Sequence, residues 1–440
     1  MYMGLGFSLP QVAVLKLPAP ITAILVADFV AVMIIFVIVL SKLLEKPTVL
    51  KAIGIGAFFV VLDWVNYTAV PIWGTAQSFA RSWSWYPRLV GFESITGMGG
   101  VVFVVAALQA LAVNGWMCPK LRRRGIVAGV VILAIAAGMS LTVMLNGESE
   151  KIKVAAVGWC SKSVDGDSVD IAKAEVFEKL FAAPVAEASR AGAVLAVTPE
   201  MGFYVDQYDY DQWLEKIKAT AAANGISLVV GYFNAELDQN RLMFVDDTGE
   251  VGAEYTKTYL TLFENSENGN GDMKVVEVGS TSVGGMICQD DNFTSLSRIY
   301  GKMGISLVAV PTLDWRPVRN AHLQSSIHRA IESRYGIVRA ALDGISAIIA
   351  PDGKVIGSFD HVENGPGMVI GEMEVYRCKT VFSRFGNWFV GLCGVSIMFC
   401  GVYRKKRTPR SESRLTDAEV GVLSGSSKIE SVCDQSIREA

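Results

Sequence analysis

The sequence is poor in charged residues and has no excess of either sign. Only 19% of its 440 residues are Asp, Glu, Lys or Arg, whereas charged residues make up about 25% of an ordinary soluble domain. A net charge of −3 provides no basic field, so nucleic acid is not expected as a partner. The seven cysteines are irregularly spaced and include no paired C-x-x-C motif. No metal site and no other cofactor are therefore predicted.

Long apolar runs account for the low charge. Four runs approach the ~20 residues that cross a bilayer, at 21–40, 52–70, 95–113 and 126–145. A fifth and shorter run covers 388–403. We therefore predict an integral membrane protein with a membrane domain at 1–147 (about four transmembrane helices), a water-soluble domain at 148–385 and a C-terminal transmembrane helix at 386–403. The polar tail 404–440 has no apolar periodicity and is predicted to be disordered.

Basic residues predict the orientation in the membrane. Lys and Arg are concentrated in the loop after the first run, at 120–124 and at 404–407. By the positive-inside rule these segments, including the tail, are cytoplasmic. The soluble domain and the less basic connection 71–94 then lie on the extracytoplasmic face.

The soluble domain shows the alternating periodicity of an α/β fold. Strands are predicted at 153–159, 192–198, 226–232, 241–245, 251–257, 275–278, 282–288 and 306–311, and on both sides of the turn Pro351-Asp-Gly-Lys354. Helices are predicted at 171–190, 212–224, 293–300 and 321–342. Such a pattern favours a layered α/β sandwich.

Three strand-end motifs carry the residue types that acyl transfer through a thioester needs. They are Glu200 in Val-Thr-Pro-Glu, Lys257 in Tyr-Thr-Lys-Thr-Tyr-Leu, and Cys288 in Gly-Gly-Met-Ile-Cys-Gln-Asp. A thiol is mostly protonated near neutral pH, so Glu200 is expected to act as the base. Lys257 and the backbone N–H of Gln289 are expected to stabilise the tetrahedral oxyanion.

Each of these residues also has a structural explanation. A lone Cys after an apolar strand is more often a small buried hydrophobe, and a lone Glu at a strand end is often solvated. The joint occurrence of Glu200, Lys257 and Cys288 favours the catalytic interpretation. His322 and His328 lie on the predicted helix 321–342 and are expected to be structural.

Four further residues are candidates for substrate binding. Arg81 and Arg88 flank two tryptophans near the predicted outer interface, where they suit either lipid phosphates or interfacial anchoring. Phe203 and Tyr204 begin an aromatic cluster just after Glu200, which suits either an acyl-chain wall or core packing. Both alternatives stay open for each pair.

The order Glu200, Lys257, Cys288 resembles that of the carbon–nitrogen hydrolase (nitrilase) superfamily, and the similarity extends over the whole soluble domain. It includes His322-Leu-Gln, the run from Arg329 to Arg339 and the run from Asp343 to Lys354. Flanking membrane spans, together with residues 64–104, resemble the apolipoprotein N-acyltransferase family within that superfamily.

The resemblance implies a fold, a reaction and a location. The fold is a four-layer α-β-β-α sandwich, and the location is a bacterial inner membrane with the catalytic domain on the periplasmic side. Cys288 would take an acyl chain from a phospholipid donor and pass it to the N-terminal amine of a diacylglyceryl-cysteine lipoprotein. A tethered amidase, in which water resolves the thioester, and a non-catalytic scaffold are the alternatives.

The chain departs from the family pattern next to two of the motifs. Gln289 follows Cys288 where the family has an aromatic residue, and Asp290 stands where the family has Glu. Glu264 matches the family's supporting carboxylate only after a shift of one residue. Glu264, Gln289 and Asp290 are therefore assigned supporting roles.

Overall fold

The computed structural model describes residues 47–69, 73–143, 149–161, 174–262 and 264–406, together with scattered positions between 19 and 41. Most of the predicted span 21–40 and nearly all of the tail 404–440 fall outside the described residues. The chain divides into two compact units. One contains 1–66, 96–139 and 387–440, and the other contains 67–95 and 140–386.

The first unit is helical where it is described. Its helices are α1 (Val49–Ala69), α3 (Met98–Met117), most of α4 (Arg122–Val143) and α12 (Trp388–Lys406). Three segments are long and apolar enough to cross a membrane, at Val49–Ala69, Met98–Met117 and Pro119–Leu141. They correspond to the second, third and fourth predicted spans. The apolar part described for α12, Trp388–Met398, is shorter, so the fifth span stays a prediction.

Helices α1 and α3 pack through a glycine. A Cβ at Gly56 would lie 2.9 Å from the Cβ of Ala107 and 3.0 Å from the carbonyl oxygen of Phe103. Small residues let helix backbones approach closely where apolar burial alone gives no preference between lipid and protein. Phe103 also meets Phe389 of α12 edge to face, with 5.7 Å between ring centroids.

The second unit is built on two sheets. The first has the strand order β13-β1-β2-β4-β5-β6, with β3 paired to β4, and the second has the order β12-β11-β10-β9-β8-β7. The strands are β1 (Ser149–Gly158), β2 (Leu195–Val197), β3 (Phe203–Val205), β4 (Ser227–Asn234), β5 (Gln239–Val245), β6 (Val251–Thr256), β7 (Val275–Val278), β8 (Thr281–Gly285), β9 (Leu307–Leu313), β10 (Gly336–Leu342), β11 (Ile345–Ile349), β12 (Val355–Asp360) and β13 (Gly367–Tyr376).

The two sheets pack face to face and helices cover their outer faces. A Cβ at Gly285 of β8 would lie 2.9 Å from side-chain atoms of Leu242 and Phe244 on β5, so the inner faces are in contact. The helices are α2 (Glu93–Thr96), α5 (Ala174–Phe177), α6 (Ala183–Arg190), α7 (Tyr210–Asn224), α8 (Thr294–Met303), α9 (Arg319–Ser333), α10 (His361–Asn364) and α11 (Val381–Phe385), with a π-helical turn between α5 and α6.

Aromatic side chains fill the core on the first sheet. Phe177, Phe181 and Trp213 from the helices pack with Phe203 and Trp159 from the strands, and all five are buried. On the second sheet α9 is buried from His322 to Ser333. The predicted four-layer α-β-β-α sandwich is confirmed.

The predicted helix 321–342 is wrong in its second half. Helix α9 ends at Ser333, Arg334 takes a left-handed φ of +59°, and β10 begins at Gly336. Every residue of β10 is buried, and a strand covered on both faces shows no alternation that would distinguish it from a buried helix. Strands β3 and β13 were not predicted.

The connection 67–95 groups with the sandwich, although in sequence it lies between two candidate spans. It contains α2 and three 3₁₀ turns, at Gly74–Gln77, Arg81–Trp85 and Pro87–Leu89. His328 of α9 holds it at two points, since Nδ1 lies 2.8 Å from Oε2 of Glu93 and Nε2 lies 3.0 Å from the carbonyl oxygen of Arg81. The domain boundaries drawn at 147, 385 and 403 stay a prediction.

Candidate active site

Glu200 lies in the turn after β2, where the backbone runs close to β4. A Cβ at Gly231 of β4 would lie 2.1 Å from the carbonyl oxygen of Pro199, so only glycine fits there. The N–H of Gly231 donates to Oγ1 of Thr198. The Glu200 side chain is buried and points into the sandwich.

Lys257 follows β6 and lies between two carboxylates. Its Nζ is 2.7 Å from Oε1 of Glu200 and 2.6 Å from Oε2 of Glu264. Burial alone would lower the pKa of Lys257, but the charges of Glu200 and Glu264 raise it well above its ordinary value. Lys257 is therefore a fixed ammonium, and the structure brings Glu264 into the same cluster.

Asn240 completes this cluster and was not found from the sequence. Its Nδ2 donates to Oε1 of Glu200 at 2.8 Å and to Oε1 of Glu264 at 2.9 Å. The carbonyl oxygen of Asn240 also accepts from the N–H of Lys257, at 2.9 Å. In the sequence Asn240 lies between two other polar residues, Gln239 and Arg241, so its type gave no signal. The antiparallel pairing of β5 with β6 places it opposite the lysine motif.

Cys288 opens the 3₁₀ turn Cys288–Asn292 instead of ending a strand. The predicted strand 282–288 ends at Gly285, three residues earlier. Cys288 has φ +48°, a left-handed conformation that L-residues with a side chain rarely adopt. Such strain persists only where the surrounding structure imposes it.

Leu313 at the end of β9 joins the acid and the thiol through its backbone. Its N–H donates to Oε2 of Glu200 at 2.6 Å, and its carbonyl oxygen accepts from Sγ of Cys288 at 3.5 Å. Burial raises the pKa of the Cys288 thiol well above its usual value and Glu200 raises it further, whereas Lys257 lowers it. The resting residue is a neutral thiol, and its use as a nucleophile requires a base.

Asp290 links the lysine motif to the turn Cys288–Asn292 by hydrogen bonds. Its Oδ1 accepts from the N–H of Tyr259 at 2.7 Å, and its Oδ2 accepts from the Tyr255 hydroxyl at 2.8 Å and from the N–H of Ile287 at 3.1 Å. Burial raises the pKa of Asp290 to about 6, and the hydrogen bonds from Tyr259 and Tyr255 act in the opposite direction. Asp290 thus connects the chain on both sides of Lys257 to the chain at Cys288.

Residues of the connection 67–95 also contact this turn. Oγ1 of Thr75 donates to the carbonyl oxygen of Asn292 at 2.8 Å, and a Cβ at Gly74 would lie 2.4 Å from that same oxygen. Within the turn, Nδ2 of Asn292 donates to Oε1 of Gln289 at 3.0 Å. The Gln289 side chain therefore lies along the turn. Thr75 lies in the segment 64–104 that resembles the family's membrane region, but the sequence assigned no role to Thr75 or Asn292.

Two of the four substrate-binding candidates require correction. Phe203 is fully buried in the aromatic core, and its ring centroid lies 5.9 Å from that of Trp213. It therefore forms no wall open to an acyl chain. The Arg81 side chain donates to the carbonyl oxygen of Ala76 at 2.9 Å and is partly buried, so it is directed inward. Tyr204 is half-exposed and stacks on Phe233, and Arg88 is exposed.

A known family model matches the part of the chain that contains Glu200, Lys257 and Cys288. Residues 153–381 match the model described as carbon-nitrogen hydrolase. The chain belongs to the carbon-nitrogen hydrolase family. The family resemblance seen in the sequence is thereby confirmed: the protein is an enzyme of that superfamily, and it carries three helices long and apolar enough to cross a membrane.

Among curated proteins, two apolipoprotein N-acyltransferases are similar to this carbon-nitrogen hydrolase. The one from Geobacter metallireducens is 25% identical over 243 residues, which cover 48% of this chain and 46% of the relative. The one from Thermotoga maritima is 22% identical over 397 residues, which cover 85% of this chain and 75% of the relative. The chain thus spans about half the length of the first relative and three quarters of the second.

Among solved structures, an amidase from Nesterenkonia sp. is similar to this chain. It is 23% identical, with a TM-score of 0.45, over 55% of this chain and 95% of the amidase.

Proposed function

We propose that this protein is a membrane N-acyltransferase. It moves a fatty acyl chain from a phospholipid, through a thioester on Cys288, to the N-terminal amine of a diacylglyceryl-cysteine lipoprotein. The proposal rests on one observation above the others: Glu200, Lys257 and Cys288 form a single buried cluster in a chain that also carries three candidate membrane spans.

In the first step Glu200 takes the proton of the Cys288 thiol, and the thiolate attacks the ester carbonyl of the phospholipid. The oxyanion of the tetrahedral intermediate is stabilised by the Lys257 ammonium and by the N–H of Gln289. Collapse of the intermediate breaks the C–O bond. The leaving lysophospholipid oxygen takes the proton from Glu200, and the acyl group remains on sulfur.

In the second step the lipoprotein amine attacks the thioester carbonyl, and Glu200 accepts a proton from that amine. The C–S bond breaks, the thiolate leaves, and Glu200 returns the proton to sulfur. Lys257 stabilises the oxyanion in both steps because its ammonium is held between Glu200 and Glu264 at hydrogen-bonding distance. Asn240 orients both carboxylates.

The helical part of the chain favours transfer over hydrolysis. A tethered amidase needs one anchoring helix, whereas this chain has three candidate spans among its described residues. The similarity to the Thermotoga apolipoprotein N-acyltransferase covers 85% of this chain and so extends well beyond residues 153–381. We place the protein in a bacterial inner membrane, with the sandwich on the periplasmic side, as the basic residues at 120–124 predict.

Two exposed side chains are suited to contact the substrates. Tyr204 lies in β3, four residues after Glu200, and is half-exposed to solvent. Arg88 is exposed beside Tyr86 and Leu89, which are also exposed. A basic side chain among exposed apolar ones suits a lipid phosphate at an interface.

The test uses the detergent-purified chain with a labelled phospholipid and a diacylglyceryl-cysteine lipopeptide. The proposal predicts an N-acylated lipopeptide with the wild-type chain and none with Cys288→Ala. Free fatty acid as the sole product would identify a hydrolase, and the absence of both products would indicate a non-catalytic protein. Either result would overturn the acyltransferase assignment.

A further inference from the structure

A second buried cluster lies behind Cys288, and the proposed mechanism does not use it. It consists of Asp314 in the loop after β9, His322 in α9 and Arg339 in β10. Asp314 and Arg339 are fully buried, and His322 is 9% exposed. His322 contacts the nucleophile itself, since its Nε2 lies 3.3 Å from the carbonyl oxygen of Cys288.

Both ring nitrogens of His322 face oxygen atoms. Nδ1 lies 2.7 Å from Oδ1 of Asp314, and Nε2 faces the carbonyl oxygen of Cys288. A carbonyl oxygen and an ionised carboxylate only accept hydrogen bonds. A neutral imidazole carries one N–H, so one of its nitrogens would turn a lone pair toward an oxygen. Both contacts are satisfied only by the imidazolium.

Asp314 is ionised because Arg339 holds it. Nη2 of the Arg339 guanidinium lies 2.8 Å from Oδ1 and 2.7 Å from Oδ2 of Asp314. Burial by itself would raise the pKa of Asp314, but Arg339 and His322 lower it below its usual value. The Asp314–Arg339 pair has no net charge, so an imidazolium at His322 gives the cluster one positive charge.

We propose that His322 is a positioning residue held as an imidazolium, which fixes the backbone of Cys288 and favours its thiolate. Lys257 and Glu200 face Cys288 through its side chain, and His322 faces it through its carbonyl oxygen. The inference rests on the nucleophilic role of Cys288 in the proposed function. The imidazolium charge acts against burial, Glu200 and Asp314, all of which oppose ionisation of this thiol.

The same contact restrains the strained turn. Cys288 holds a left-handed φ of +48°, which requires a bond from outside the turn to persist. His322 supplies such a bond from a buried helix, and Asp314 and Arg339 fix its ring. His322 therefore acts on the chemistry through Cys288 without touching the substrate.

The first test measures alkylation of Cys288 by iodoacetamide between pH 6 and pH 10, followed by the mass of the Cys288 peptide. In His322→Gln we expect the apparent pKa of alkylation to rise by about one unit, which corresponds to about tenfold slower labelling at a pH below both values. His361→Gln is the matched control, because His361 is also a buried histidine and its ring nitrogens contact Ser346 and the carbonyl oxygen of Gly365 instead of the Cys288 turn. The control is expected to leave the alkylation profile unchanged.

A second measurement keeps the proposal testable if His322→Gln does not fold. The chain has only three histidines, so ¹⁵N-histidine NMR of the wild-type protein, assigned with His328→Gln and His361→Gln, reports the His322 ring directly. Two protonated nitrogens at pH 7 are expected. A neutral ring, or an unchanged alkylation profile in folded His322→Gln, would overturn the proposal. Neither readout requires acyl transfer, so both remain decisive if the lipopeptide is not acylated.

Discussion

Nζ of Lys257 lies 2.7 Å from Oε1 of Glu200, and both side chains are at least 98% buried. A buried ion pair of this kind contributes little net stability, because desolvation offsets much of the attraction. Its value here is to hold an ammonium and a carboxylate at fixed positions beside Cys288. The predictions below follow from that arrangement.

Lys257→Met should strongly slow the acylation of Cys288. The substitution leaves Glu200 and Glu264 buried near each other without a cation, so one of them takes up a proton and Glu200 is lost as a base. We expect at least a ~10²-fold slower acylation and destabilisation by about 3–5 kcal/mol, measured by mass spectrometry and by thermal unfolding in detergent. Lys274→Met is the control, since Lys274 pairs with Asp272 on the surface. An active Lys257→Met would contradict the assigned role.

Asn240→Leu should separate the two carboxylates that Asn240 joins. Each loses a charge-assisted hydrogen bond, worth about 1.5–3 kcal/mol, and Glu200 is no longer held toward Leu313. We expect acylation to slow by roughly tenfold to a hundredfold, by the same estimate of lost hydrogen-bond energy. Gln239→Leu serves as the control because neighbouring residues of a strand point to opposite faces. Equal rates in the two variants would rule out the bridging role.

Thr75→Val should slow acylation although Thr75 lies far from Cys288 in sequence. The valine has nearly the same shape but leaves the buried carbonyl oxygen of Asn292 without its donor, at a cost of about 1–3 kcal/mol. The turn that carries Cys288 is thereby loosened. Thr75→Ser retains the hydroxyl and should behave like wild type. If both variants match wild type, the connection does not position the turn.

The His328–Glu93 contact should make stability depend on pH. Burial alone would lower the pKa of His328, but Glu93 raises it above the ordinary value near 6.5. Because the folded value is the higher one, the stabilisation is fully present below pH 6.5 and is lost as the pH rises through the folded value. The unfolding temperature in detergent should therefore fall with rising pH over that window. His328→Gln should remove this part of the slope, and an unaltered slope would contradict the assignment.

The fold class could be predicted from the sequence. Glu200, Lys257 and Cys288 could be singled out together because each lies next to a strand or turn with a recognisable motif. The prediction failed at β10 because a strand buried on both faces has no periodicity of two. It left Phe203 open between a substrate wall and the core because aromatic residues suit a core and a lipid-facing surface equally well. Only the packing around Phe181 and Trp213 distinguishes these alternatives.

The supporting residues were harder to predict because they depend on contacts between distant parts of the chain. Thr75 meets Asn292 across 217 positions, and Leu313 meets Glu200 across 113. Leu313 acts through backbone atoms, which leave no mark in a sequence. Asp290 was assigned a supporting role from its place beside Cys288, but its bonds to Tyr255 and Tyr259 became visible only in the fold.

The most direct test of the account is the mass of the detergent-purified protein after incubation with phospholipid alone. The account predicts an acyl adduct that maps to the Cys288 peptide, is released by hydroxylamine as a thioester, and is absent in Cys288→Ala. Addition of a lipopeptide amine should discharge it. A chain that stays unmodified with its Cys288 thiol free, or an adduct that persists in Cys288→Ala, would contradict the central claim.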